Sequence, residues 1–161
     1  MKLELNFKNI NNCNGVPLLK IFVNQQQVWD GPVQEKILLE SAINNGPAEL
    51  TVEHYGKNNL TDTITQDGKI INDKNCELDS VAVDEYNLAE LKWQSYYLTS
   101  DNEQLDQCLF FGKNGSWHLS FELPVLRWIL KTQHQLKNND PYWEENYENY
   151  IQACKLINNL N

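Results

Sequence analysis

In a series of short segments between Lys2 and Leu123 hydrophobic side chains recur at every second position, the period of a strand with one buried face. Leu3, Leu5 and Phe7 alternate with Lys2, Glu4, Asn6 and Lys8. Leu19, Ile21 and Val23 repeat the pattern, and a turn at Asn24 to Gln26 leads into Val28 and Trp29 before Asp30-Gly31-Pro32 stops the run, which predicts a hairpin. Ile37 and Leu39 continue the alternation. After Asn45-Gly46-Pro47, Leu50, Val52 and His54 share one face of a strand and Thr51, Glu53 and Tyr55 the other. Asp67-Gly68 predicts a tight hairpin between Ile64 and Ile70, and the broken spacing of Leu78, Val81 and Val83 predicts a bulge. A further hairpin is expected at Asn114-Gly115, with Gly112 opposite Trp117, Phe110 opposite Leu119 and Cys108 opposite Phe121.

The period changes at Pro124. Proline at a first helical position, followed by Val125, Trp128, Ile129, Thr132 and Leu136, describes an amphipathic helix over residues 124–136. Asp140-Pro141 opens a second over residues 141–159, with Trp143, Tyr147, Tyr150, Ile151, Cys154 and Ile157 on one stripe. The expected fold is mainly β: an antiparallel β-sandwich, jelly-roll-like, over residues 1–123, with two C-terminal α-helices forming an extension over 124–161 packed on it. The aromatic stripe of Trp143, Tyr147 and Tyr150 is also a candidate interface with a neighbouring subunit, the same chain in a homo-oligomer included.

Composition narrows the partners. The 161 residues carry 13 basic and 22 acidic side chains, a net charge of -9 that opposes nucleic acid and anionic membranes alike. No stretch approaches the roughly 18 to 20 consecutive apolar residues that span a bilayer, and the first residues read as a strand and not as a signal peptide. Cys13, Cys76, Cys108 and Cys154 are scattered without zinc-site spacing and are read as free thiols.

No nucleophile elbow, phosphate-cradling glycine loop or helical histidine pair is present, so catalysis is not expected. His54, on the apolar parity of its strand, reads as a hydrogen-bonded core histidine. Asp62, Asp67 and Asp73 are the candidate metal ligands, since clustered carboxylates bind calcium, although their spacing does not match a twelve-residue calcium loop. The competing reading makes Asp67-Gly68 a turn and leaves the other acids solvated. Trp93, Tyr96 and Tyr97 are the candidate contact residues: aromatic rings bind sugars or anchor interfaces, or else pack in a core.

The run Leu50-Thr51-Val52-Glu53-His54-Tyr55-Gly56-Lys57, then Asp62-Thr63, Asp67-Gly68-Lys69-Ile70, Asn72-Asp73-Lys74 and Leu78 to Val83, resembles uncharacterised β-sandwich proteins of marine tailed bacteriophages. Phe110 to Gly115 and Phe121 to Trp128 are similar to the same group, and the resemblance covers about residues 16–130. The middle regions of those proteins resemble calcium-dependent xylan-binding modules. The resemblance implies a non-enzymatic structural or accessory component of a tailed-phage virion, folded in the host cytoplasm and attached to head, neck or tail by contacts with other virion proteins. The alternative is a carbohydrate-binding module that recognises host surface glycan through Trp93, Tyr96 and Tyr97. Calcium from Asp62, Asp67 and Asp73 is the one cofactor this alternative admits; the first reading needs none.

Overall fold

The computed structural model describes residues 1–138, and their element order is β1 (Lys2–Asn11), β2 (Leu18–Val23), β3 (Gln26–Pro32), β4 (Lys36–Glu40), β5 (Gly46–Tyr55), β6 (Thr63–Gln66), β7 (Lys69–Asp73) and β8 (Asn75–Val83). Then come β9 (Tyr86–Asn87), a 3-10 helix (Ala89–Gln94), β10 (Tyr96–Thr99), β11 (Gln104–Asp106), β12 (Phe110–Phe111), β13 (Gly115–Leu123) and α1 (Val125–Asn138). The strands form an antiparallel sandwich. One sheet has the order β12-β8-β1-β4 with β9 on β8, the other β11-β10-β13-β5-β2-β3, and β6 and β7 stand apart as a two-stranded hairpin.

Alternation determines what lies between the sheets. Leu3, Leu5 and Phe7 of β1 and Leu78, Val81 and Val83 of β8 join Leu19, Ile21, Val23, Leu50, Val52, Trp117 and Leu119 in one buried core. Burying a large aliphatic or aromatic side chain contributes about 1.5–3 kcal/mol, so this layer dominates the stability of the sandwich. The indole N–H of Trp117 cannot be left bare at 0% exposure, and it donates to Ser95 Oγ at 2.7 Å. The expected bulge is present: Asn6 pairs Ser80 and Phe7 pairs Leu78, leaving Asp79 as the extra residue. Val125, Trp128 and Ile129 of α1 are buried, with Trp128 6.0 Å from Phe121 between ring centres.

The hairpin expected at Asn114-Gly115 does not form. Phe110 and Phe111 pair with Glu77 and Cys76 of β8 in one sheet, and the chain crosses at residues 112–114 to begin β13 in the other. The crossing reverses the expected parity, so Phe111 is buried at 0% exposure and Phe110 lies 50% exposed. Gly115 serves a close approach: a Cβ there would fall 2.4 Å from the Leu98 carbonyl oxygen. Cys13 and Cys76 are buried free thiols, and Cys108 is a half-buried one. The second C-terminal helix, with Trp143, Tyr147, Tyr150 and Cys154, lies outside the described residues.

Candidate functional site

The outer face of the six-stranded sheet carries Tyr96, alone of the described candidate residues, among polar side chains of neighbouring strands. Because strand side chains alternate, β10 turns Tyr96 and Leu98 outward and Tyr97 inward. Register then places His118 of β13 opposite Tyr96 and Ser116 opposite Leu98, and on the far side Thr51 and Glu53 of β5 opposite those two. Lys20 of β2 lies opposite Glu53, and Asp30 of β3 opposite Lys20. Five strands, drawn from between Leu18 and Leu123, thus supply one surface.

Tyr96 and His118 stack nearly parallel, 4.9 Å between ring centres and 11° between planes. The imidazole is held from three directions: Nε2 lies 2.7 Å from Ser116 Oγ, and Nδ1 lies 3.3 Å from Thr51 Oγ1 and 3.2 Å from Glu49 Oε1. Beside this stack a groove of about 490 Å³ is lined by Thr51, Glu53, Tyr55, Leu98, Ser116 and neighbouring backbone. Tyr55 borders it with its hydroxyl donating to Asp30 at 2.6 Å and the Lys20 ammonium 4.4 Å from its ring centre. That hydrogen bond into a carboxylate raises the Tyr55 pKa above its ordinary value, and desolvation adds to it.

The Ser116–His118–Glu49 chain has the connectivity of an acyl-transfer triad, but its surroundings do not suit that chemistry. Strand β13 is paired on both sides, by β10 and β5, so its amides are committed to the ladders and supply no oxyanion donor beside Ser116. Tyr96 also covers one imidazole face. What the arrangement does provide is a fixed aromatic platform with hydroxyl and carboxylate groups next to it.

The other candidate residues lie elsewhere. Tyr97 is 1% exposed, its ring packs 5.1 Å from Phe111, and its hydroxyl donates to the Lys113 carbonyl at 2.7 Å, so it belongs to the core and not to a contact surface. Burial pushes its phenol pKa up. Trp93 sits on the 3-10 helix, 39% exposed with Lys92 5.8 Å from its ring centre, and does not line the groove. His54 is fully buried: Nδ1 lies 2.9 Å from the Lys113 carbonyl, Nε2 has no partner among the described residues, and desolvation lowers the pKa.

Asp62, Asp67 and Asp73 are not brought together as a group of three among the described residues. Asp62, 5% exposed, takes the Lys74 ammonium at 2.9 Å, the Asn58 N–H at 3.0 Å and the Thr61 hydroxyl at 3.1 Å. The Asn58 N–H first, and then Lys74, hold its pKa down to about 2. Asp73 takes the Lys57 ammonium and the Thr63 hydroxyl, each at 2.6 Å, and the Asn75 amide at 3.1 Å. Burial acts to raise the Asp73 carboxyl, and those hydrogen bonds outweigh it and leave it below its ordinary value. Asp67 stands at the exposed tip of the β6–β7 hairpin in the left-handed conformation its turn requires, φ 51°. Asp62 and Asp73 are thus each paired with a lysine ammonium, and no group of three metal-ligating side chains gathers among the described residues.

Asn114 joins this network to the groove that it also lines. Its side-chain oxygen accepts the Lys57 N–H at 2.9 Å and its amide donates to the Lys57 carbonyl at 2.8 Å.

No protein-family model matches the chain, and no curated protein matches it. Among solved structures, the chain is similar to a vCBM60 in complex with galactobiose, at 14% identity and a TM-score of 0.46, with 76% of this chain and 98% of that one covered. It is also similar to the selenomethionine form of vCBM60, from work on a circular permutation linking two families of calcium-dependent carbohydrate-binding modules, at 12% identity and a TM-score of 0.47, covering 73% of this chain and 87% of that one.

Proposed function

We propose that the outer face of the six-stranded sheet binds a carbohydrate chain without chemically altering it. The observation that supports this is the groove of about 490 Å³ beside the Tyr96–His118 stack, walled by Tyr55 and lined with Thr51, Glu53 and Ser116. A sugar ring presents polarised C–H groups on its faces and hydroxyls around its rim. An aromatic face attracts the first through its negative quadrupole, and the flanking hydroxyls and carboxylate meet the second.

Calorimetric titration with neutral oligosaccharides of several linkages tests the proposal. Binding is expected to weaken about tenfold, or about 1.4 kcal/mol, in Tyr96→Ala, and to stay within twofold of the parent in Trp93→Ala. Loss of affinity in Trp93→Ala with none in Tyr96→Ala would move the site off this face, and silence toward every sugar would sink it.

A second reading, attachment to a phage particle, rests on a separate feature. Leu60, Ile64, Ile70 and Ile71 are 92%, 44%, 64% and 59% exposed, and they gather on the β6–β7 hairpin and the turn before it. Exposed apolar side chains of this size suit contact with another protein. Mass spectrometry of purified particles tests this reading, and absence of the chain from them would end it.

A further inference from the structure

Glu53 differs from the other carboxylates around the groove. Glu49 is engaged by His118, and Asp30 accepts the Tyr55 hydroxyl. Away from the groove, Asp62 and Asp73 hold lysines, and Glu77 and Asp79 share Lys8. Glu53 lines the groove at mid-strand, half-buried between β2 and β13, and makes no hydrogen bond or ion pair with the described residues. A carboxylate has two oxygens and about four lone-pair directions, so this one retains its acceptor capacity in the cavity. Lys20, the cation opposite it, is also opposite Asp30 and lies over the Tyr55 ring, so one positive charge faces two negative ones.

We infer that Glu53 sets the ligand class of the groove: it accepts hydrogen bonds from a pair of neighbouring hydroxyls on an uncharged sugar and repels chains that carry carboxylates. The inference rests on the carbohydrate reading above and adds the residue and the selectivity. A vicinal diol presents two O–H donors at a separation that suits the two oxygens of one carboxylate, and bonds to an ionised acceptor are stronger than neutral ones. A uronate brought into the same groove meets Glu53, with Asp30 two strands away on the same face, on a chain of net charge -9. At close range in a partly desolvated groove, that repulsion is screened by salt only in part.

The test uses the full chain, with a neutral hexose oligomer and the uronic-acid oligomer of the same linkage and length, titrated at low and at 0.5 M salt. The parent is expected to prefer the neutral oligomer by at least about tenfold, with the gap narrowing in salt. Glu53→Gln, of equal size, should bind the neutral oligomer about fivefold more weakly and bring the two ligands within about threefold of each other. Glu53→Asp, which keeps the charge and withdraws the oxygens, should lose affinity while retaining the preference. An unchanged neutral-to-uronate ratio in Glu53→Gln, or equal binding of both oligomers by the parent, would overturn the inference and leave the carbohydrate reading standing. If the parent binds neither oligomer nor any other sugar, the carbohydrate reading fails and this inference with it.

Discussion

Two polar regions of this protein contain similar residues and use them in opposite ways. Below the β6–β7 hairpin, Lys57, Asp73, Lys74 and Asp62 are closed on one another, with side-chain exposures of 2%, 12%, 9% and 6%. On the outer face of the six-stranded sheet, the hydroxyls of Thr51, Ser116 and Tyr55 are engaged by His118 and Asp30, while Glu53 makes no hydrogen bond or ion pair with the described residues. The contrast shows that an acidic residue is not a ligand candidate by type alone. Where its own chain supplies a buried cation it is part of the framework, and where its own chain supplies none it is available to something else.

The sharpest way to break this contrast is to open the closed network. Asp73→Asn leaves the Lys57 ammonium buried without its counter-charge, and it is expected to destabilise the protein by about 3–5 kcal/mol, lowering Tm by about 10 °C. Urea denaturation measures it, and a loss under about 1 kcal/mol would mean that the lysine finds water instead.

Acid should act in the same direction, more gradually. The Asp62 pKa falls from 3.8 unfolded to about 2 folded, so its contribution is fully present above about pH 4 and fades as pH drops towards 2; Asp73, also lowered, follows the same sign. Thermal melts between pH 6 and pH 2 are expected to show Tm falling in that window, and a flat profile would show that these pairs contribute nothing.

The smallest expected effect concerns calcium. Because lysine already occupies Asp62 and Asp73, neither a chelator nor millimolar calcium should move Tm by more than about 1 °C or change sugar affinity by more than about twofold. A larger response to calcium would show that a cation displaces these lysines.

Much of the sandwich is legible in the sequence because alternation is a local property. Leu3, Leu5 and Phe7, or Leu50, Val52 and His54, reveal their buried face without knowledge of their partners, and the broken spacing after Leu78 marks the bulge at Asp79. The Asn114-Gly115 segment misleads because turn propensity does not say which strands will pair. Gly115 is there to admit the Leu98 carbonyl, and the flanking strands join different sheets. The candidate site is legible only in fragments. Tyr96 stands out as an aromatic residue outside the clean alternation, yet its neighbour Tyr97 has equal claim until the parity of β10 is known. Thr51, Glu53 and Tyr55 can be placed together on the second face of β5, but their meeting with Ser116 and His118 depends on a register between strands about sixty residues apart.

Asn114 acts as a mechanical link between the two regions. Its paired hydrogen bonds to the Lys57 backbone reproduce a step of strand pairing where the chain is crossing between sheets, and the same residue forms part of the groove wall. Load applied at either end is therefore shared. A sugar that immobilises the groove should slow amide exchange around Lys57, and loosening of the lysine anchor should be felt as a softer wall by whatever the groove holds.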